Sequence, residues 1–259
     1  MPVQSPEPSM LSFVVPCYNE AENILDTLAS ITKAMEQVPF SYEIIIVDDK
    51  SRDNTLEVAR AAAQTNPRIR VIANVVNLGL GGTYKAGAAQ AAGDYVMLVP
   101  GDNGFPAECI TRTVMKIGSA DIIIPYVTNT SSRGVPRTVL HYSFTALLNF
   151  LFWIDVKYYN GPVVHKAALL KTITIGTNGF AYQAEALVKL ISGGASYAHI
   201  DVRVQDRAAG VSTALSKTNR IRVYKTIYRL LSEIGFLRRF RFPPLAWAQE
   251  PNAAPAASA

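Results

Sequence analysis

Ile44-Ile45-Ile46-Val47-Asp48-Asp49-Lys50-Ser51-Arg52-Asp53-Asn54-Thr55 decides the fold of this 259-residue chain. An unbroken apolar run that stops on two carboxylates reads as a buried parallel strand delivering acids to an open edge. Parallel strands covered by helices on both faces show continuous hydrophobic runs, whereas half-exposed strands alternate. The pattern recurs. Leu11 to Val15 ends in Pro16-Cys17-Tyr18-Asn19-Glu20, and Tyr95 to Val99 ends in Pro100-Gly101-Asp102-Asn103. In open α/β sheets ligands bind beyond the carboxyl ends of the strands, so three such ends point to an enzyme site.

Between the strands the apolar spacing turns helical. Ile24, Leu28, Ile31 and Met35 fall on one helix face. Asp53 or Asn54 can cap a second helix, with Leu56, Ala59 and Ala63 inward. Ile69 to Ala73 reads as a third strand, Tyr84 to Ala92 as a third helix, and Asp121 to Pro125 as a further strand. The second half is less regular, with helices expected near Arg137–Ile154 and Ala181–Ser192 and a short strand at Ala198–Val204. Such alternation predicts a doubly wound, mostly parallel α/β sheet with helices on both faces.

Composition narrows the class. Apolar residues make up 49% of the chain, ample for one core. Two cysteines, Cys17 and Cys109, make no disulfide framework, and no secretory signal opens the sequence, so a reducing cytoplasm is expected. Proline-rich residues 1–10 and the 244–259 segment read as disordered tails. The longest apolar run, Phe144 to Ile154, is interrupted by Asn149 and is too short for a span of about 20 residues. It reads as a core helix or as an interfacial segment touching lipid.

The net charge of +5 is unevenly placed. Lys217, Arg220, Arg222, Lys225, Arg229, Arg238, Arg239 and Arg241 face a single acid, Glu233. Ile221, Tyr224, Ile227, Leu231, Ile234 and Leu237 are interleaved at helical spacing. A basic amphipathic helix over residues 216–243 reads as a peripheral membrane contact, or as a terminal helix packed on the domain with its charges in water. No nucleic-acid motif accompanies it, and nucleic acid is not expected as a partner.

Asp102, in a glycine-containing loop at a strand end, suits a hard cation; Gly-Asp-Asn-Gly is equally good turn chemistry. Gly79-Leu80-Gly81-Gly82 fails as a dinucleotide fingerprint, because Tyr84 holds the third glycine position. It reads as a flexible turn into a helix whose start could hold phosphate.

Val14-Val15-Pro16-Cys17-Tyr18-Asn19-Glu20, then Ile46 to Thr55, then Asn77-Leu78-Gly79 resemble the family 2 glycosyltransferases, which have the Rossmann-like GT-A fold. Tyr182-Gln183-Ala184-Glu185 and Asp206-Arg207-Ala208-Ala209-Gly210-Val211-Ser212 resemble the polyprenyl-phosphate (dolichol-phosphate mannosyltransferase-like) branch. The resemblance implies a glycosyltransferase domain over 11–215, with a nucleotide-binding half (11–125) and an acceptor half (126–215). It implies a nucleotide pocket of Pro16, Tyr18, Glu20, Asp49, Ser51 and Gly79, binding a UDP- or GDP-sugar. Asp102 would hold magnesium or manganese beside the donor diphosphate. Glu185 would be an acceptor-side carboxylate, with Gln183, Arg133, Arg137, Arg207 and Ser212 near the acceptor phosphate.

The sequence departs from the family at marked points. Pro100 replaces the first acid of the usual Asp-x-Asp pair, and Lys50 replaces the glycine of Asp-Asp-Gly-Ser. Gly161-Pro162-Val163 stands where a Gly-Phe-Arg segment is typical, and Thr213 stands for a lysine. A hydroxyl acceptor would need a general base, for which Glu185 is the candidate; a phosphate acceptor needs positioning, and Glu185 could then hold a basic residue. It could equally be a helix acid paired to Lys189 four residues later. The arginines are candidate two-point phosphate grips, and His141 and His199 receive no role. The expectation is an inverting transferase acting on a polyprenyl phosphate at the inner membrane face. A soluble transferase acting on a hydroxyl and a non-catalytic scaffold are its rivals.

Overall fold

The computed structural model describes residues 10–128, 135–203 and 217–241. The expected tails, with Arg133, Arg207 and Ser212, lie outside the described residues, as does the side chain of Arg137. The strands are β1 (Met10–Cys17), β2 (Ser41–Asp48), β3 (Ile69–Ala73), β4 (Tyr95–Leu98), β5 (Ile122–Val127), β6 (Val164–Lys166) and β7 (Tyr197–Val202). The helices are α1 (Ile24–Met35), α2 (Thr55–Thr65), α3 (Gly79–Ala89), α4 (Ala107–Val114), α5 (Val135–Phe152), α6 (Ala167–Leu170), α7 (Tyr182–Ser192) and α8 (Lys217–Arg241).

One seven-stranded sheet runs in the order β3-β2-β1-β4-β6-β5-β7. Only β6 opposes its neighbours; the other pairings are parallel. The mostly parallel sheet is therefore as the sequence predicts, and β6 is the element it hides, because three residues carry no period. Alternate strand residues feed two cores. Leu11, Phe13, Val15, Ile44 and Ile46 pack with α1 and α4 on one face. Val14, Ile45 and Val47 pack on the other with residues of α3, α5, α7 and α8. Both cysteines are buried and free. Among the described residues no helix is long and apolar enough to cross a membrane.

Two helix readings need correction. The glycine run is not a flexible turn, since α3 begins at Gly79 rather than Tyr84. A Cβ on Gly81 would sit 2.7 Å from the Tyr182 Cβ and 2.9 Å from the Gly179 carbonyl oxygen. The glycines thus let α3 press against the turn before α7. The basic helix α8 also packs differently from its apolar spacing. Thr226, Leu230 and Ile234 are buried, while Tyr224 and Leu231, assigned to the apolar face, are exposed. Intervals of four bury the first set, and ion pairs of Arg229 and Glu233 beside it decide which side docks.

Close packing of α3 gives a test. A Cβ on Gly87 would lie 2.5 Å from one Val14 methyl and 3.0 Å from a Val47 methyl. Gly87→Ala is expected to destabilise the fold by about 1–3 kcal/mol through overpacking, read as a lower urea midpoint. An unchanged midpoint would show that α3 does not rest on β1 and β2 this closely.

Candidate active site

The carboxyl ends of β1 and β2 are interlocked by short polar contacts. The Asn19 amide donates to Ser51 Oγ at 3.0 Å, and the Arg52 amide returns a bond to Asn19 Oδ1 at 2.8 Å. The Glu20 amide donates to Thr55 Oγ1 at 2.8 Å, and the Ala21 amide to Asp53 Oδ2 at 3.2 Å. Asp53 also receives the Thr55 amide and hydroxyl. Burial pushes its pKa up, but these donors outweigh that and hold it below the ordinary value. More than a helix cap, Asp53 clamps one loop to the other. The frame leaves Tyr18 42% exposed at its rim, beside Pro16, Glu20 and Ser51.

The Asp102 turn is fixed from the helix beneath it. Thr27 Oγ1 donates to the Gly101 carbonyl and accepts from the Asn103 amide, both at 3.0 Å, while Ser30 Oγ donates to Asn103 Oδ1. A Cβ on Gly101 would meet Cys17 Sγ at 2.6 Å, so glycine is needed to bring this turn against β1. Asp102 then projects from a held turn, with its Oδ1 accepting the Gly104 amide at 3.1 Å.

Acid converges here. Burial, and then the carboxylates of Glu20, Asp48, Asp102 and Asp53, push the Cys17 thiol well above its usual pKa. Asp48 Oδ1 is buried with no hydrogen-bond partner. An electronegative edge with an uncompensated carboxylate oxygen fits a divalent cation. Among the described residues no three His, Cys, Asp or Glu side chains form a ready ligand set. A cation would therefore take Asp102 together with substrate oxygens and water, as magnesium commonly does.

Asp49 is the residue whose surroundings differ most from expectation. Its carboxylate accepts from Asn74 Nδ2 and from the Leu78 and Gly79 amides, all at 2.8 Å. It sits at the start of α3, where the helix dipole favours a carboxylate. With about four lone-pair sites on a carboxylate, little is left for a ligand. The Gly79 amide is committed to Asp49, and the Gly81 and Gly82 amides donate to the Asn178 carbonyl. Three amides at the start of α3 thus meet protein acceptors. Lys50, where the resembling family has glycine, adopts φ 58°, and its side chain is exposed at the rim. Left-handed backbone costs a non-glycine residue about 1 kcal/mol, so the lysine is held there by its surroundings.

Gln183 and Glu185 do not join this edge. Gln183 is buried, with its Nε2 3.2 Å from His165 Nε2, and burial pushes the His165 pKa down to about 4. Glu185 is fully buried and accepts from the Gly176 and Thr177 amides at 2.9 and 3.0 Å. The Lys189 ammonium lies 3.0 Å from it and the Arg229 guanidinium 2.5 Å. Burial pushes its pKa up, but the Gly176 amide, Lys189 and the Thr177 amide outweigh that and hold it low. It is a positioning carboxylate that binds α8 to α7 and fixes the 175–178 turn. The arginine that meets it, Arg229, lay unremarked among the basic residues of α8 because no local spacing marks a contact across 44 residues.

The family model described as glycosyl transferase family 2 matches residues 12–171. A dolichyl-phosphate beta-glucosyltransferase of Trichomonas vaginalis is 33% identical over 126 residues, covering 47% of this chain and 37% of that protein. An undecaprenyl-phosphate 4-deoxy-4-formamido-L-arabinose transferase of Serratia proteamaculans is 40% identical over 106 residues, covering 40% and 32%. The chain spans about a third of the length of these curated relatives. Among solved structures, mannosyl-3-phosphoglycerate synthase from Rubrobacter xylanophilus matches with TM-score 0.71 and 19% identity over 92% of this chain and 79% of that one. Glucosyl-3-phosphoglycerate synthase from Mycobacterium tuberculosis, bound to Mn2+, UDP-glucose and phosphoglyceric acid, matches with TM-score 0.69 and 19% identity over 88% and 80%. These two share the fold.

The surroundings of Glu185 set a pH dependence. Its folded pKa is depressed, so its contribution is present above the unfolded value of about 4.3 and is lost as pH falls through the lower folded value. Glu185→Ala is expected to cost about 3–5 kcal/mol at neutral pH, because two cations and two amides lose their acceptor. The variant's deficit should shrink as acid protonates the wild-type carboxyl. Equal stability of the two proteins at pH 7 in urea would contradict this assignment.

Proposed function

The chain belongs to glycosyl transferase family 2, and on that premise we propose that it transfers a sugar from a nucleoside-diphosphate sugar to a polyprenyl phosphate, with inversion at the anomeric carbon. The observation that carries the reading is the mutual locking of the β1, β2 and β4 ends, which holds Tyr18, Ser51 and Asp102 on one sheet edge. An edge of that kind suits a nucleotide laid across the strand ends.

The nucleoside rests on the β1–β2 frame. Tyr18 offers a ring at the rim, Ser51 keeps a hydroxyl proton to donate, and Asp49 keeps its remaining lone-pair site. Pro16 and Glu20 complete the wall. The diphosphate extends toward Asp102. Magnesium or manganese bound there with the diphosphate oxygens would neutralise the charge that develops on the leaving group. Lys50 adds an ammonium at the same rim. The acceptor attacks from the side opposite the departing nucleotide.

The state of Glu185 favours a phosphate acceptor over a hydroxyl. A hydroxyl needs a general base within reach, and this carboxylate is enclosed and ion-paired. A phosphomonoester has a second pKa of about 6, so it arrives largely as a dianion and needs only placement. Relatives named for dolichyl and undecaprenyl phosphate support the same acceptor class. For the membrane, α8 turns Tyr224, Lys225 and Tyr228 outward. Aromatic and basic residues on an exposed face suit a lipid headgroup region. Contact through residues 217–241 at the inner face would be peripheral.

Transfer is tested by incubating the full chain with labelled UDP- and GDP-sugars and vesicles carrying undecaprenyl phosphate. Labelled lipid with inverted anomeric configuration is expected from one donor. Asp102→Asn should lower turnover about 100-fold or more. Transfer to soluble hydroxyl acceptors with none to the lipid would sink the proposal.

A further inference from the structure

A cavity of about 350 Å³ lies between α5, the end of β5 and the 155–158 turn. Its place follows from the register. Met97 on β4 and Ile123 on β5 both stand opposite Val164, so Tyr126 is level with Pro100, two residues short of Asp102. The two strands run parallel with β6 alone between them, which puts Tyr126, a lining residue, about 10 Å to the side of the Asp102 strand. This wall of the cavity therefore lies at the same sheet edge as Asp102.

Its walls are held in place by bonds of their own. Asn149, the polar residue that interrupts the apolar run of α5, donates to the Val156 carbonyl at 3.0 Å and accepts from the Val156 amide at 3.2 Å. The Tyr159 hydroxyl donates to Asn149 Oδ1 at 2.8 Å. The Lys157 amide donates to His199 Nε2 at 3.1 Å, and the Lys157 ammonium lies 5.0 Å from the Tyr126 ring centre. His141 packs on Tyr158 with ring centres 4.8 Å apart. The lining thus presents one ammonium, an imidazole and three phenol rings, with Asp155 as its carboxylate.

The outer face of α5 continues from this cavity without a formal charge. No Asp, Glu, Lys or Arg stands between Arg137 and Asp155. Tyr142, Leu147, Phe150 and Trp153 are exposed along it, the last two at 75% each. Trp153 takes φ 55° just past the helix end, where the Ile154 amide closes onto the Asn149 carbonyl. That is the position glycine normally fills. A large ring kept in a strained, exposed position is characteristic of a functional surface, and an indole favours the boundary between lipid and water.

We propose that this cavity seats the phosphomonoester of the acceptor, with Lys157 as its cation, and that an isoprenoid tail leaves along the uncharged outer face of α5. The proposal rests on the reading above that the acceptor is a phosphate. Asn149 and His199 act as positioning residues, since they hold the backbone on which Lys157 stands. Asp155 works against an anion in the cavity, which gives the proposal a second, opposite sign to test.

Two probes test it on the full chain. One is phosphatidylcholine vesicles with and without undecaprenyl phosphate, read by flotation; the other is 3-phosphoglycerate in buffer, read by calorimetry. The urea midpoint, measured in parallel, reports whether each variant is folded. Binding that depends on undecaprenyl phosphate is expected to weaken at least tenfold in Lys157→Gln, recover in Lys157→Arg and strengthen in Asp155→Asn. Paired Phe150→Ser and Trp153→Ser changes should weaken binding to these vesicles. Unchanged vesicle binding in Lys157→Gln would overturn the phosphate seat while leaving a lipid acceptor standing. Binding of 3-phosphoglycerate alone, lost in Lys157→Gln, would uphold the seat and overturn the lipid acceptor. Binding of neither probe would overturn the seat.

Discussion

At the end of β2 the Asp49 carboxylate accepts hydrogen bonds from Asn74, Leu78 and Gly79, and much of the site's geometry follows from that. A buried carboxylate is costly unless its lone pairs are met, so the three donors must converge on it. That convergence brings the loop after β3 over the end of β2 and starts α3 at Gly79. It also leaves the neighbouring Lys50 in a left-handed turn, with its side chain facing solvent beside Ser51.

From α3 the constraint passes to the second half of the chain. Gly81 and Gly82 let the helix touch Asn178, whose carbonyl accepts both their amides. Lys85 holds the Asn178 side chain and the Ile175 carbonyl. The same turn is held from the other side by Glu185, which also takes Arg229 of α8. A continuous set of polar contacts thus joins the end of β2 to the basic helix. Docking α8 by this route buries the face of Thr226, Leu230 and Ile234 and turns Tyr224 and Tyr228 outward, so the face proposed for the membrane is not the one that packs.

The parts legible in the sequence were those set by local pattern. Unbroken apolar runs gave away β1, β2 and β4, and their polar ends located the edge with Tyr18, Ser51 and Asp102. Contacts distant along the chain left no local trace. Nothing near Gly79 shows that its amide meets Asp49, thirty residues earlier. For Glu185 the i,i+4 spacing gives the pair with Lys189, whereas the contact with Arg229, 44 residues away, has no local sign. In the sequence Asn149 only interrupts an apolar run; its bonds to Val156 need the fold. His141 and Lys157 carried no spacing signal, since a cavity built from a helix, a strand end and a turn has no period.

On the function proposed above, the β1, β2 and β4 ends form a metal-assisted nucleoside-diphosphate site despite the proline in place of the first acid. Calorimetric titration of UDP and GDP, each with and without manganese, tests it most directly. The account predicts that one of the two binds, that manganese tightens it, and that Asp102→Asn abolishes the manganese effect while the protein stays folded. Binding of neither nucleotide by the folded protein, or a manganese effect that survives in Asp102→Asn, would contradict it.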